Sequence, residues 1–209
     1  MKISSKKWFI ILILFYLAIY KFSYVLEFLN LKPQFPHIIF IDESGFSLSM
    51  RRSFGRAPLG IRENKVVSSI RSKNITLIAS ISCNKVWTFK VHEGSVNRDV
   101  FNQCLDQLFA DFDLHGVPNS LIIMDNVKFH KTEVVTDKIN NSRHKLLFLP
   151  PYSPFLNTIE ELFNQIKCIV RNKDPKSKDE LYNAIMDSPN EISPQQYPNF
   201  FNHPETYFT

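Results

Sequence analysis

Three acidic residues stand where the chain's elements are expected to carry chemistry: Asp42, Asp125 and Glu160. Asp42 lies inside an otherwise apolar run, residues 37–46 (HIIFIDESGF), which reads as a buried strand closing near Gly45. Asp125 ends a second apolar run, 121–124, and Glu160 falls in the first turn of an amphipathic helix. An acid among apolar side chains is costly unless something compensates it. A hard divalent cation is a good compensator, and Mg²⁺ takes few carboxylates together with waters and phosphate oxygens. Two such ions about 4 Å apart stabilise both the attacking and the leaving oxygens of a phosphoryl displacement. Each acid also has a plain structural reading. Asp42 pairs with a nearby arginine, Asp125 starts an Asx-turn, and Glu160, three residues after Asn157, completes a capping box. Strand alternation sets Asp42 on the face of Ile38 and Phe40 and Glu43 on the face of Ile39 and Ile41, so these neighbours do not serve the same site.

The elements that must position these acids follow from periodicity and breakers. Pro33 and Pro36 mark a boundary before the first strand. Two further strands, near 74–82 and 86–92, flank a Cys83-Asn84-Lys85 turn and form a hairpin. Ser95 or Asn97 caps a helix reaching about Phe112, with Val100, Phe101, Leu105, Leu108 and Phe109 on one face; Gly116 and Pro118 break it. After the Asp125 strand come a helix around 132–140 and a strand at 145–149. The stretch 150–154 (PPYSP) is a stiff loop. Asn157 opens a helix to about Asn172, its apolar face being Ile159, Leu162, Phe163, Ile166, Ile169 and Val170. A short helix near 177–186 follows, and a tail with Pro194, Pro198 and Pro204 reads as irregular. The order predicts an α/β fold, a mixed five-stranded sheet flanked by helices.

Composition narrows the classes. The 209 residues suit one domain plus a short extension, and 44% apolar with 22% charged residues fits a folded chain. The net charge of +5 is compatible with a polyanionic partner and says little alone. With only 5 glycines, and neither G-x-G-x-x-G nor G-x-x-x-x-G-K, a glycine-cradled nucleotide site is not expected. The 3 cysteines, Cys83, Cys104 and Cys168, are far apart and odd in number, which argues against a disulfide framework; without C-x-x-C or H-x-x-x-H spacing a structural zinc site is not expected.

Four segments together carry a family pattern: FIDESGF at 40–46, RRSFGRAPLG at 51–60, IIMDNVKFH at 122–130 and LPPYSPFLNTIEELFNQIK at 149–167. In this ordered set the chain resembles the catalytic domain of mariner-like cut-and-paste DDE transposases, over roughly residues 36–205. The resemblance implies an RNase H-like fold, with the family's two Asp and final Glu falling on Asp42, Asp125 and Glu160. It also implies two divalent cations, Mg²⁺ or Mn²⁺, held by those acids, and DNA endonuclease and strand-transfer activity on transposon ends and target. Thirty-four residues separate Asp125 from Glu160, as is usual in that superfamily, and Thr158 replaces its usual proline. Glu161 is the rival third acid, but at about 100° per residue Glu160 shares its stripe with Asn164, Lys167 and Arg171, whereas Glu161 lies beside Gln165 and Cys168. Lys167 and Arg171 read as phosphate contacts or as a solvated face. His130 reads as a DNA contact, an orienter of the Asp125 loop, or a packing residue. Residues 51–73 carry seven basic residues against Glu63 alone and read as a DNA-backbone contact or as a solvated loop, with Arg51, Arg52 and Arg56, which follow the Asp42 strand directly, as the expected phosphate contacts.

The first 35 residues stand apart as an extension from the catalytic domain at 36–209. Residues 8–20 (WFIILILFYLAIY) are uncharged, preceded by Lys2, Lys6 and Lys7 and ended by Lys21. This run is expected to pack as a helix on the domain, with a membrane segment over 8–31 and a cleaved signal as alternatives. The family's paired helix-turn-helix modules are not visible before Asp42, which suggests a truncated copy. The alternative to an active enzyme is a catalytically inactive transposon remnant or a domesticated nucleic-acid-binding module. The expected partners are DNA and a second copy in a homodimer, and the expected location is with the genomic DNA.

Overall fold

The apolar β-branched runs assemble into one five-stranded sheet in a computed structural model that describes residues 5–50 and 74–205, with side chains from 15 to 50 and from 74 to 201. The strands are β1 (His37–Phe46), β2 (Ile75–Ile81), β3 (Val86–Glu93), β4 (Ser120–Met124) and β5 (Lys145–Phe148). Their spatial order is β3-β2-β1-β4-β5. The hairpin β2-β3 and the pair β1-β2 are antiparallel, while β1-β4 and β4-β5 are parallel. β1 is therefore central, and its register with β4 pairs Phe40 with Ile123. Two residues further along lie Asp42, within β1, and Asp125, just past the end of β4, which brings the two acids to one level on neighbouring strands.

Strand alternation splits the core into two layers. Ile39 and Ile41 face α2 (Arg98–Leu114) and α3 (Glu133–Asn140), joining Phe101, Leu105, Leu108, Phe112, Val135 and Ile139. Phe40 and Phe46 face the other layer, which contains α4 (Ile159–Lys173) and α5 (Lys178–Asp187). The boundaries follow local chemistry. Asn97 caps α2 by accepting the Val100 N–H at 2.9 Å, and Ser177 caps α5 through Glu180 N–H at 3.1 Å. Gly116 takes φ 65° just past α2, a conformation that favours glycine. α4 buries Ile159, Leu162, Phe163, Ile166 and Val170. Five such side chains contribute on the order of 10 kcal/mol of burial, which fixes the helix that carries Glu160. Ile169, expected on that face, is only half-buried.

One expectation is corrected. The tail is not irregular: two short 3-10 turns, Ser188–Glu191 and Pro194–Gln196, lead into α6 (Tyr197–Glu205). Pro189, Pro194 and Pro198 sit in first turns, where the missing N–H has no partner to lose, so they start helical turns rather than break them, and Pro204 falls in the last turn of α6. The N-terminal run forms α1 (Ser5–Leu31), which docks through Tyr24, Phe28 and Leu31 at i, i+4, i+7 spacing. Lys21 Nζ sits 4.7 Å from the centre of the Phe155 ring. Phe15, Ile19, Phe22, Leu26 and Leu29 face outward on the same helix. Among the described residues no helix is long and apolar enough to cross a membrane.

Candidate active site

The C-terminal ends of β1 and β4 open into a cleft of about 440 Å³. It is closed on its far side by the 150–154 loop and the start of α4. Asp42, Asp125 and Glu160 all line it, with Asn126, Tyr152 and Asn157 among the others. Glu161 is not part of the lining. The stiff loop ends in a 3-10 turn, Pro154–Leu156, held by Leu156 N–H donating to Ser153 O and Asn157 N–H to Pro154 O. That turn delivers Asn157 and then Glu160 to the mouth of the sheet.

Asp42 is 7% exposed, and both of its oxygens are engaged. Oδ1 accepts the Glu43 N–H at 2.7 Å, and Oδ2 accepts Asn157 Nδ2 at 2.7 Å. No arginine compensates it among the described residues. Burial pushes its carboxyl up to about 7, with the neighbouring Glu43 and Asp125 carboxylates adding to the rise. The Glu43 N–H and His130 pull the other way. Asp125 does form the turn that the Asp-Asn pair suggests, with Val127 N–H donating to Oδ1 at 3.2 Å. The same oxygen meets His130 Nδ1 at 2.7 Å. The structural and chemical readings of Asp125 are thus compatible.

His130 is fully buried between Phe101 and Phe129, and both ring nitrogens are used. Nδ1 meets Asp125, and Nε2 meets Glu43 Oε1 at 3.1 Å. Burial opposes a charge on this ring, but the hydrogen bonds to Asp125 and Glu43 outweigh it and push the imidazole up to about 9. The full burial of His130 leaves no ring atom open for a DNA contact, while its neighbours fit both other roles, packing and orienting the Asp125 loop. Glu43, on the opposite face of β1 from Asp42, lies outside the cleft lining yet reaches Asp125 through this ring.

Asn157 does not cap α4. The N-cap is Thr158, without a side-chain hydrogen bond, and the Asn157 amide has gone to Asp42 instead. The capping-box reading of Glu160 therefore fails; only its backbone N–H meets Asn157, through the carbonyl, at 3.0 Å. Two residues were missed by sequence reasoning: Asn157 as a partner of Asp42, and Tyr152 as an exposed aromatic on the lip. Tyr152 is 86% exposed and holds φ at 54°, a left-handed backbone in the middle of the proline loop. The clustering of prolines around a lone aromatic was the available signal for it.

The cations named by the sequence follow in part. Lys167 lies two turns along α4 from Glu160, with Nζ 5.9 Å from the Phe46 ring centre at the end of β1. Arg171 donates from Nε to the Lys167 carbonyl at 2.9 Å and is half-buried. Arg51, Arg52 and Arg56 lie outside the described residues.

The donor set suits a hard cation: three carboxylates, a buried amide carbonyl, and space open to solvent. Among the described residues no three acid, His or Cys side chains are drawn into a ready-made cage. Mg²⁺ fits such a loose arrangement, since it keeps several waters and shares its coordination with phosphate oxygens.

The sequence model described as DDE superfamily endonuclease matches residues 37–182. The structure titled Mos1 transposase paired-end complex with left transposon end matches with TM-score 0.76 at 14% identity, covering 100% of this chain and 62% of that one. The crystal structure of the catalytic domain of Mos1 mariner transposase matches with TM-score 0.69 at 15% identity, covering 100% of this chain and 93% of that one. A Mos1 catalytic domain solved with Raltegravir and Mg gives TM-score 0.69 at 15% identity, over 90% of each chain. No curated protein matches the chain by sequence. The chain spans about three fifths of the Mos1 chain in the paired-end complex and nearly all of its catalytic domain, whose fold it shares.

Proposed function

The chain belongs to the DDE superfamily endonucleases, and on that footing we propose that it cleaves and joins DNA phosphodiesters as the catalytic domain of a cut-and-paste transposase. Asp42, Asp125 and Glu160 are read as the catalytic acids and the ligands of two divalent cations, Mg²⁺ or Mn²⁺. The observation that carries this reading is the convergence of three acids, from a central strand, its neighbour's end and a helix start, on one open cleft. When bound, such ions acidify a water and balance charge on the oxygens of a phosphoryl displacement.

The chain's own residues do the rest. Asp42, Asp125 and Glu160 supply negative charge from within a central strand, from its neighbour's end and from a helix start. The Glu43–His130–Asp125 chain of hydrogen bonds fixes which Asp125 oxygen is tied back to the protein. Lys167 and Arg171 lie along α4 as contacts for a DNA backbone running past the acids, and Arg51, Arg52 and Arg56 are proposed to extend that track. Tyr152 offers an exposed ring at the lip for a base or sugar. A covalent enzyme intermediate is not needed: Ser153, in the cleft lining, donates its hydroxyl hydrogen bond to the Pro151 carbonyl at 3.1 Å and has no base beside it among the described residues. The proposed partners are transposon-end and target DNA and a second copy of the chain, with the protein located on genomic DNA. The Mos1 paired-end complex with left transposon end among the similar structures supports the first of these partners.

Titration with Mn²⁺, followed by electron paramagnetic resonance and calorimetry, tests the reading. Two ions per chain in the wild type and loss of binding in Asp125→Asn support it. A wild type that takes up no ion makes the chain an inactive nucleic-acid-binding remnant.

A further inference from the structure

We infer that Asn157 is a positioning residue for the cation site, holding Asp42 with one end of its amide and meeting a cation-bound water with the other. The inference rests on the reading of Asp42, Asp125 and Glu160 as cation ligands. Four observations carry it. The Asn157 side chain lies in the cleft lining and is 4% exposed. Its Nδ2 donates to Asp42 Oδ2 at 2.7 Å. Its Oδ1 is buried with no hydrogen-bond partner among the described residues. Its backbone carbonyl accepts the Glu160 N–H at 3.0 Å. One residue thereby ties the strand acid Asp42 to the first turn of the helix that carries Glu160, across 115 positions of sequence.

The residue type matters. A lysine or arginine in this place would hold Asp42 more strongly, but it would neutralise the carboxylate and compete with a cation for it. A neutral amide donor fixes one oxygen and leaves the charge in place. The other end of the amide is a buried acceptor without a partner on a residue of the cleft lining, which native proteins seldom leave without a reason. Water on a divalent ion is a strengthened donor, and a carbonyl at the wall of the cleft is a partner suited to it. Asn157 thus acts on the ions through Asp42 and through their water, in the manner of outer-shell groups that orient metal ligands.

The test uses the whole chain, with Mn²⁺ as the probe. Asn157→Ala removes both ends of the amide and is expected to weaken Mn²⁺ binding by about 10- to 100-fold, the usual effect of losing an outer-shell partner. Its circular dichroism without metal should stay as in the wild type. Asn157→Asp, of the same shape, replaces the Nδ2 donor with a carboxylate oxygen against Asp42 Oδ2, a repulsion that a bound Mn²⁺ relieves. Its melting temperature should rise more on adding Mn²⁺ than that of the wild type. Wild-type Mn²⁺ affinity in a folded Asn157→Ala protein overturns the inference, because a residue that only packs the loop would shift melting and leave the ion alone. If the alanine variant does not fold, an Asn157→Asp protein with the same Mn²⁺-induced rise as wild type overturns it equally. Both outcomes are read beside Asp125→Asn. If wild type and Asp125→Asn bind Mn²⁺ alike, the cation site itself is wrong and the role of Asn157 falls with it. If Asp125→Asn loses the ion while Asn157→Ala keeps it, the cation site stands and the role of Asn157 alone falls.

Discussion

Replacing Asp42 with Asn should make the metal-free protein more stable, and the structure sets the size of the effect. The Asp42 carboxyl is raised from its ordinary 3.8 to about 7 by burial, with the Glu43 and Asp125 charges adding to it. Ionising it in the native state at pH 8 therefore costs roughly 4 kcal/mol relative to the unfolded chain. Because the group is coupled to Glu43, Asp125 and His130, a realised gain of about 2–4 kcal/mol is expected. For a chain of this size that corresponds to a rise of about 4–16 °C in melting temperature. The amide can keep the local hydrogen bonds. Its oxygen still accepts the Glu43 N–H, and its NH₂ can donate to the bare Asn157 Oδ1. The pH dependence has a definite sign. Below about pH 4 the acid is protonated in both states, and the two proteins differ by a constant. Between pH 4 and 7 the unfolded wild type ionises while the native one does not, so the wild type falls progressively behind. Above pH 7 the gap is again constant. Differential scanning calorimetry in chelator, at pH 4, 6 and 8, measures this directly. Adding Mn²⁺ should raise the wild type and leave Asp42→Asn in place. A variant that melts at or below the wild type at pH 8 in chelator would refute the reasoning.

Three further outcomes are expected. His130→Ala leaves Glu43 and Asp125 without their shared partner and should cost about 3 kcal/mol in urea unfolding; with the imidazole pushed up to about 9, that cost is full below pH 6.5 and fades as pH rises through 9. His144, buried against Phe109 and Phe112 with Nδ1 unpartnered, is pulled down to about 4 by burial and by Arg143; His144→Phe should therefore gain melting temperature relative to the wild type as pH falls from 6.5 towards 4. Lys167→Ala combined with Arg171→Ala should weaken DNA binding and flatten the plot of log affinity against log salt by about 0.9 for each phosphate no longer neutralised, with an unchanged slope showing that neither touches the backbone.

What the sequence made legible was periodic or terminal. The run 37–46 alternates around a buried core and became β1 with those bounds. The apolar stripe of α4 placed Glu160, rather than Glu161, on the cleft side. Acids at element ends could be picked out because an apolar strand has no other use for them. What stayed hidden depended on partners far away in the chain. Asn157 looks like a helix cap until β1 brings Asp42 to it, and His130, readable from spacing only beside Asp125, gains its second partner when Glu43, 87 residues earlier, arrives from the opposite face of the same strand. The tail misled for a local reason: proline breaks a helix interior and starts a first turn, and spacing alone does not say which. The apolar N-terminal run looked uniform, but only Tyr24, Phe28 and Leu31 and their neighbours meet the domain, because docking is decided by the surface the folded domain offers, the Phe155 ring included.

The central claim is that one acid cluster cuts DNA with the help of divalent ions, and nicking of supercoiled plasmid by the purified chain in Mn²⁺ tests it most directly. The account predicts nicking by the wild type that stops in chelator and is abolished in Asp125→Asn, a variant that keeps the shape of the side chain while removing its charge. Equal nicking by wild type and Asp125→Asn, or nicking that persists in chelator, would contradict it.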